Sequence, residues 1–140
     1  MTVVLDRVPL DLVETLWPHI EPHIAAACNA VTTSLTPAEV KANALADKRG
    51  LWVAIDTDAT SFPILGAASV YTRETNRGLV TVVETVGGRD GKRWLRQCRE
   101  ELEQHAKAAG AVAIEIEGRR GWRRALPGYR EARVVMTKEL

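Results

Sequence analysis

The residues whose types and spacing could do chemistry lie in Val86-Gly87-Gly88-Arg89-Asp90-Gly91-Lys92-Arg93. Glycines and cations here separate an apolar run, 79–86, from a long helical pattern that continues through Leu95. A glycine-rich turn leading a strand into a helix offers free backbone N–H groups and the positive end of the helix dipole, which together hold anions. Open α/β sheets bind their ligands at such carboxyl ends of strands. Glu84 is the only acidic residue in 79–86 and alternates in phase with Val80, Val82 and Val86. Two readings of it stay open: a carboxylate that points into a cleft, or a strand-end carboxylate paired with an arginine.

A second basic group, Arg119, Arg120, Arg123 and Arg124, follows Glu117 with no acidic residue close by. Its partner could be an anionic ligand, nucleic acid or another protein. Nucleic acid has the least behind it, since no recognition motif or exposed aromatic interleaving accompanies the cluster. Glu115 and Glu117 share a strand face with Ala111 and Ala113 and are placed to pair with Arg119 or Arg123. His19 and His23 have the spacing of metal ligands on a helix. Each directly follows a proline and no third ligand is near, so no metal site is expected. Cys28 and Cys98 fall in helical segments and read as core thiols in a reducing compartment.

These groups need a frame, and 140 residues supply a single domain, 1–140, with room for a real core. A hydrophobic content of 46% and a charged content of 26% are ordinary for a soluble globular chain. No apolar run approaches the roughly 18 residues of a membrane span, and no secretory leader opens the chain, so a cytoplasmic protein with no membrane partner is expected. The net charge of +1 hides an asymmetry. Residues 1–88 carry 6 basic and 10 acidic residues, giving −4, and residues 89–140 carry 13 and 8, giving +5. Along the helix after the glycine turn, Glu100, Glu101 and Glu103 interleave with Arg96, Arg99 and Lys107, which is the pattern of a solvated face.

Taken in order, TVVL at 2–5 reads as a first strand. A helix follows Pro9, Pro18 and Pro22 interrupt it, and Pro22 starts a second one with Ile24, Ala27, Cys28 and Val31 on one side. Thr36-Pro37-Ala38-Glu39 is a capping box that starts a helix from Pro37 to Asp47, with Gly50 as its stop. Strands at 51–55, 63–71 and 79–86 form an antiparallel meander. The helix after the glycine turn carries Leu95, Cys98, Leu102, His105, Ala106 and Ala109 on one stripe and stops at Gly110. His105 sits at the stripe edge. A strand at 111–116 completes a right-handed β-α-β crossover. One or two helical turns, stopped by Pro127-Gly128, and a last strand in ARVVMTKEL end the chain. Gly118 and Gly121 permit the tight turn into those helical turns, and Trp122 is placed to cap the core.

This order of elements, with Leu16-Trp17-Pro18, Glu117-Gly118-Arg119-Arg120-Gly121-Trp122, Leu126-Pro127-Gly128-Tyr129 and the terminal Met136-Thr137-Lys138-Glu139-Leu140, resembles the GCN5-related N-acetyltransferases (GNAT). Within them it looks like a group of small proteins encoded by phages and prophages, one of them virion-associated. The resemblance implies an α/β (α+β) fold with a mixed six- to seven-stranded sheet and helices on both faces. It also implies that Val86, Gly87, Gly88, Arg89, Gly91, Lys92 and Arg93 form a turn for the pyrophosphate of acetyl-coenzyme A. Glu84 would then be the general base, acting on an amine through water. This chain departs from the family pattern at two points. Aligning Leu95 with the family's first helical leucine puts Asp90 and Lys92 where the family has glycines. Arg124 stands where many members have an acidic tyrosine, and Tyr129 comes four residues later, in a position that suits the core.

Two functions follow from the resemblance. One is a phage-type GNAT-fold protein with a degenerate acetyl-coenzyme A site and no required cofactor. It would bind other phage or host proteins, in the host cytoplasm or incorporated in a virion, with Arg119, Arg120, Arg123 and Arg124 as contacts. The other is an active N-acyltransferase that uses acetyl-coenzyme A and an unidentified amine.

Overall fold

The computed structural model describes residues 2–30, 35–61, 63–118 and 120–140, with the side chains of residues 29, 30, 120, 121 and 123 left out. Val31 and Arg119, and the side chains of Arg120 and Arg123, therefore lie outside the described residues. Five strands form one sheet in chain order. β1 (Val3–Arg7), β2 (Gly50–Asp56), β3 (Ile64–Thr75) and β4 (Gly78–Gly88) are antiparallel neighbours. β5 (Ala111–Ile116) runs parallel to β4, across the helix α3 (Gly91–Ala108). The antiparallel meander and the β-α-β crossover are as the sequence indicates. The sheet has fewer strands than the expected six to seven.

The shortfall lies at the C-terminus. Residues 129–140 hold no regular secondary structure, and Val134, Val135, Met136 and Leu140 are exposed. A β-branched run becomes a strand only when a neighbour takes up its backbone N–H and C=O groups. This run is tied to β5 by side chains instead: Arg133 reaches Glu115 at 3.4 Å and Glu117 at 3.3 Å.

One sheet face is covered by α1 (Val13–Ala30) and α2 (Pro37–Leu45). The prolines expected to split α1 do not. Pro18 and Pro22 lie inside one continuous helix, both on its exposed side, where water can serve the carbonyls they leave unpaired. The buried stripe of Val13, Trp17, Ile20, Ile24 and Cys28 runs unbroken past them, and that packing outweighs the local cost. α2 starts as its sequence demands, with the Thr36 hydroxyl accepting from the Glu39 N–H at 3.2 Å. It ends earlier than expected, at Leu45. Asp47 takes the left-handed conformation (φ 58°), Lys48 N–H turns back to Asn43 O, and Gly50 opens β2 rather than closing the helix.

α3 covers the opposite face. It packs on β5, and its Gln97 amide donates to Val3 O of β1 at 2.7 Å, so the sheet curls around this helix. Its fully buried residues are Trp94, Cys98 and Ala106, with Leu95 and Leu102 half-buried. Trp94 is thus the anchor that the expected leucine stripe omits. His105 is exposed and stacks obliquely on Trp52, 4.9 Å between ring centroids, which agrees with its place at the stripe edge. The ion pairs Arg96–Glu100 and Arg99–Glu103 along α3 likewise match a solvated face.

Candidate functional site

The site begins where β5 leaves β4. The ladder between them closes at Val83–Ile116, with a last bond from Glu117 N–H to Val83 O at 2.9 Å. β4 continues to Gly88, so among the described residues no strand pairs with its β5-facing edge from Glu84 onward. At this same point β4 carries a bulge. Ser69 pairs with Thr85 and Val70 with Val83, leaving Glu84 as the extra residue.

The bulge reverses the phase of everything after it. Val80, Val82 and Glu84 do share the α1 face, but Val86 turns to the α3 side, and Gly87 faces α1. The expected in-phase alternation through Val86 is therefore corrected by one inserted residue. The backbone follows suit. Arg89 N–H donates to Leu65 O of β3, so alternation directs the amides of Gly88 and Val86 to the open edge.

That edge leads into the N-terminus of α3. Asp90, the cap residue, has φ 54° and makes no side-chain cap bond, and the first turn holds no acidic residue. Helix geometry leaves the N–H groups of Gly91 and Lys92 without intrahelical partners, while that of Arg93 donates to Asp90 O at 2.9 Å. Arg89, Lys92 and Arg93 around them are exposed, and among the described residues none is paired with a carboxylate. Open N–H groups, a dipole end and three free cations converge on one spot.

The three glycines of this turn do different work. A Cβ on Gly87 would lie 2.2 Å from His23 O, so this glycine lets α1 approach the sheet. One on Gly88 would meet Leu65 O at 2.6 Å and the Trp94 ring at 2.7 Å, and Gly66 is filled by the same ring at 2.4 Å. Trp94 lies in this cradle with its indole N–H on Arg89 O at 2.7 Å. Gly87 and Gly88 are thus taken up by packing. Only Gly91 is open, with nothing within 4 Å of an added Cβ.

Glu84 has a partner from outside the turn. Arg49, just before β2, donates Nε to Glu84 Oε2 at 2.9 Å and Nη2 to Oε1 at 3.4 Å, and lies 3.8 Å above the Tyr71 ring centroid. Ser69 reaches Glu84 Oε2 at 3.5 Å and Thr85 Oγ1 at 2.7 Å. Of the two readings of Glu84, pairing with an arginine is the arrangement found, at the mouth of the β4–β5 gap. Cys28 lies nearby, its thiol pushed up by burial and by Glu39 and Glu84, and so stays neutral. His23, which the sequence left unassigned, bonds through its ring to Ile64 O at 3.0 Å.

The described C-terminal groups do not join this site. Glu115 binds Arg73 at 2.7 Å as well as Arg133, while its expected pairing with Arg119 or Arg123 lies outside the described residues. Arg124 is exposed. Tyr129 is half-buried and donates to Glu103 of α3 at 3.1 Å; burial and that carboxylate hold its hydroxyl well above the ordinary tyrosine range. Trp122, expected to cap the core, is half-buried and borders the apolar space under α3, its ring occupying the space a Cβ on Gly118 would need.

Two hollows remain. A half-open cleft of about 280 Å³ is bordered by Arg7, Leu10, Val13, Asp47 and Arg49, and takes no wall from β4 or α3. A smaller one, about 60 Å³, lies between the sheet and α3, with almost wholly apolar walls that include Val83 and Val86 on either side of the bulge.

No protein-family model matches the chain, and no curated protein matches it. Solved structures do share its fold. An aminoglycoside acetyltransferase from an uncultured soil metagenomic sample has a TM-score of 0.68 at 11% identity, over 99% of this chain and 96% of its own. Glucosamine-6-phosphate N-acetyltransferase from Arabidopsis thaliana gives 0.65 at 18%, over 99% of both chains. A GNAT family acetyltransferase from Staphylococcus aureus gives 0.63 at 14%, over all of both.

Proposed function

For a chain with the fold of the GNAT acetyltransferases, we propose the activity of an N-acyltransferase that takes its acyl group from a coenzyme A thioester. The observation that carries this reading is the unpaired β4 edge running directly into an uncapped, cation-rich helix N-terminus. A long ligand with amide groups at one end and a pyrophosphate at the other is matched by both halves. When bound, such a thioester supplies an activated carbonyl carbon to an incoming amine.

The residues of the chain then have these roles. Amides of the open edge, those of Val86 and Gly88, hold the ligand's amides and the thioester oxygen, on which negative charge grows as the C–N bond forms. The N–H groups of the first α3 turn, with Arg89, Lys92 and Arg93, hold the pyrophosphate. Glu84, at the bulge, would accept the proton of the amine through water; as the C–N bond forms the C–S bond would break, and the leaving group would depart as a thiolate that takes its proton from solvent water. Arg49 holds the Glu84 carboxylate in one orientation through its two hydrogen bonds.

A second reading, a protein that binds partners without turnover, is favoured by one observation: both oxygens of Glu84 are occupied by Arg49. Its phage or host protein partners, and a place in a virion, stand on the resemblance of the C-terminal motifs alone. A thermal-shift titration with acetyl-coenzyme A decides between ligand use and none, because a ligand that binds only the native state must stabilise it. A saturable rise supports the acyltransferase reading. A flat response at millimolar ligand removes it.

A further inference from the structure

We infer that the hollow between the sheet and α3 receives the acyl chain, so that the preferred thioester carries an acyl group of about four carbons rather than acetyl. This rests on the acyltransferase reading and deepens it. The hollow measures about 60 Å³, and its walls on β4 and β5 are Val83, Val86, Ile114 and Ile116. Val83 and Ile116 form the last pair before the two strands part, and Val86 stands on the unpaired stretch. This end of the hollow therefore adjoins the stretch of β4 where the thioester carbonyl would lie. Trp122 and Leu126 also line it.

The chemistry of the wall selects for hydrocarbon. Cys98 borders it, and burial pushes that thiol up to about 11, so it is uncharged at neutral pH. Arg99 is the one charged residue of the wall among those described. Its guanidinium is held by a hydrogen bond to Ala125 O at 3.0 Å and by ion pairs with Glu103 at 3.2 Å and Glu100 at 3.6 Å, which offset its charge, while its buried Nε has no hydrogen-bond partner among the described residues. An acetyl methyl would leave most of this volume empty. A hydroxylated or carboxylated chain would bury polar atoms with no partner. A straight saturated chain of a few carbons fills it, and a long fatty chain exceeds it.

The test compares coenzyme A, acetyl-coenzyme A and butyryl-coenzyme A by calorimetric titration of the full chain. Each buried methylene strengthens binding about fourfold, so butyryl-coenzyme A, with two more, should bind roughly 15-fold tighter than the acetyl form. Ala68→Leu, which adds bulk to the wall opposite Val86, should erase that advantage. If Ala68→Leu fails to fold, Val86→Leu makes a smaller reduction of the same space, and the wild-type ratio stands without either variant. Equal affinities for the acetyl and butyryl forms would overturn the chain-length inference and leave the acyltransferase reading intact. Binding of none of the three would overturn both.

Discussion

Arg49 and Glu84 are separated by 35 residues of chain and by 2.9 Å in space, and the arginine that grips the carboxylate also lies on the Tyr71 ring. This pair fixes the Glu84 carboxylate beside the strand gap. Under the acyltransferase reading, Glu84→Gln should lower kcat by about 100-fold while leaving the affinity for coenzyme A unchanged. Steady-state rates with a panel of amines, set beside calorimetric binding, measure the two separately. Loss of binding together with rate would assign Glu84 to the frame rather than to proton transfer.

Gly87 and Gly88 are required by packing. Gly87→Ala drives a methyl into His23 O and Gly88→Ala drives one into Trp94 and Leu65 O, so each should cost about 1–3 kcal/mol by urea unfolding. Wild-type stability in either variant would mean that these glycines serve ligand approach alone.

The different uses of the three glycines mark what could be read from the residues in advance and what could not. Strand, turn, helix and parallel return are local patterns, and they are legible because hydrophobic period and turn residues are local. The partner of a glycine is not local. Gly66 and Gly88 share the Trp94 ring only because β3 and β4 align them, and Arg49 finds Glu84 only through the register of three strands. The bulge at Glu84 is invisible to an alternation rule, since Val-Val-Glu-Thr-Val is compatible with either phase. α1 shows the converse: its prolines break the local rule, and its buried stripe, equally present in the sequence, prevails.

Residues 134–140 should be dispensable for stability. They make no strand and expose Val134, Val135 and Met136, so deleting them while retaining Arg133 should change unfolding free energy by less than about 0.5 kcal/mol. A loss of several kcal/mol would show that the segment pairs with the sheet after all.

Alkaline pH should weaken the fold through Cys98. Its thiol is pushed up from 9.0 to about 11 by burial, with Glu101 adding to the effect. Below pH 9 both folded and unfolded chains keep the proton, and the stabilisation is fully present. Between 9 and 11 the unfolded chain has released it and the folded chain has not, so stability falls as pH rises, by up to about 1.4 kcal/mol per unit. Cys98→Ala should flatten that slope in unfolding curves collected from pH 8 to 11. An unchanged slope would place the titration elsewhere.

The most direct test of the ligand site uses Gly91, the one glycine of the turn with open space around it. An acidic residue at the start of a helix favours the helix but repels a phosphate at the same point. Gly91→Asp should therefore keep or slightly raise the melting temperature and abolish the stabilisation that coenzyme A gives to the wild-type chain. An undiminished coenzyme A shift in that variant, or none in the wild type, would contradict the assignment of this helix end as the pyrophosphate site.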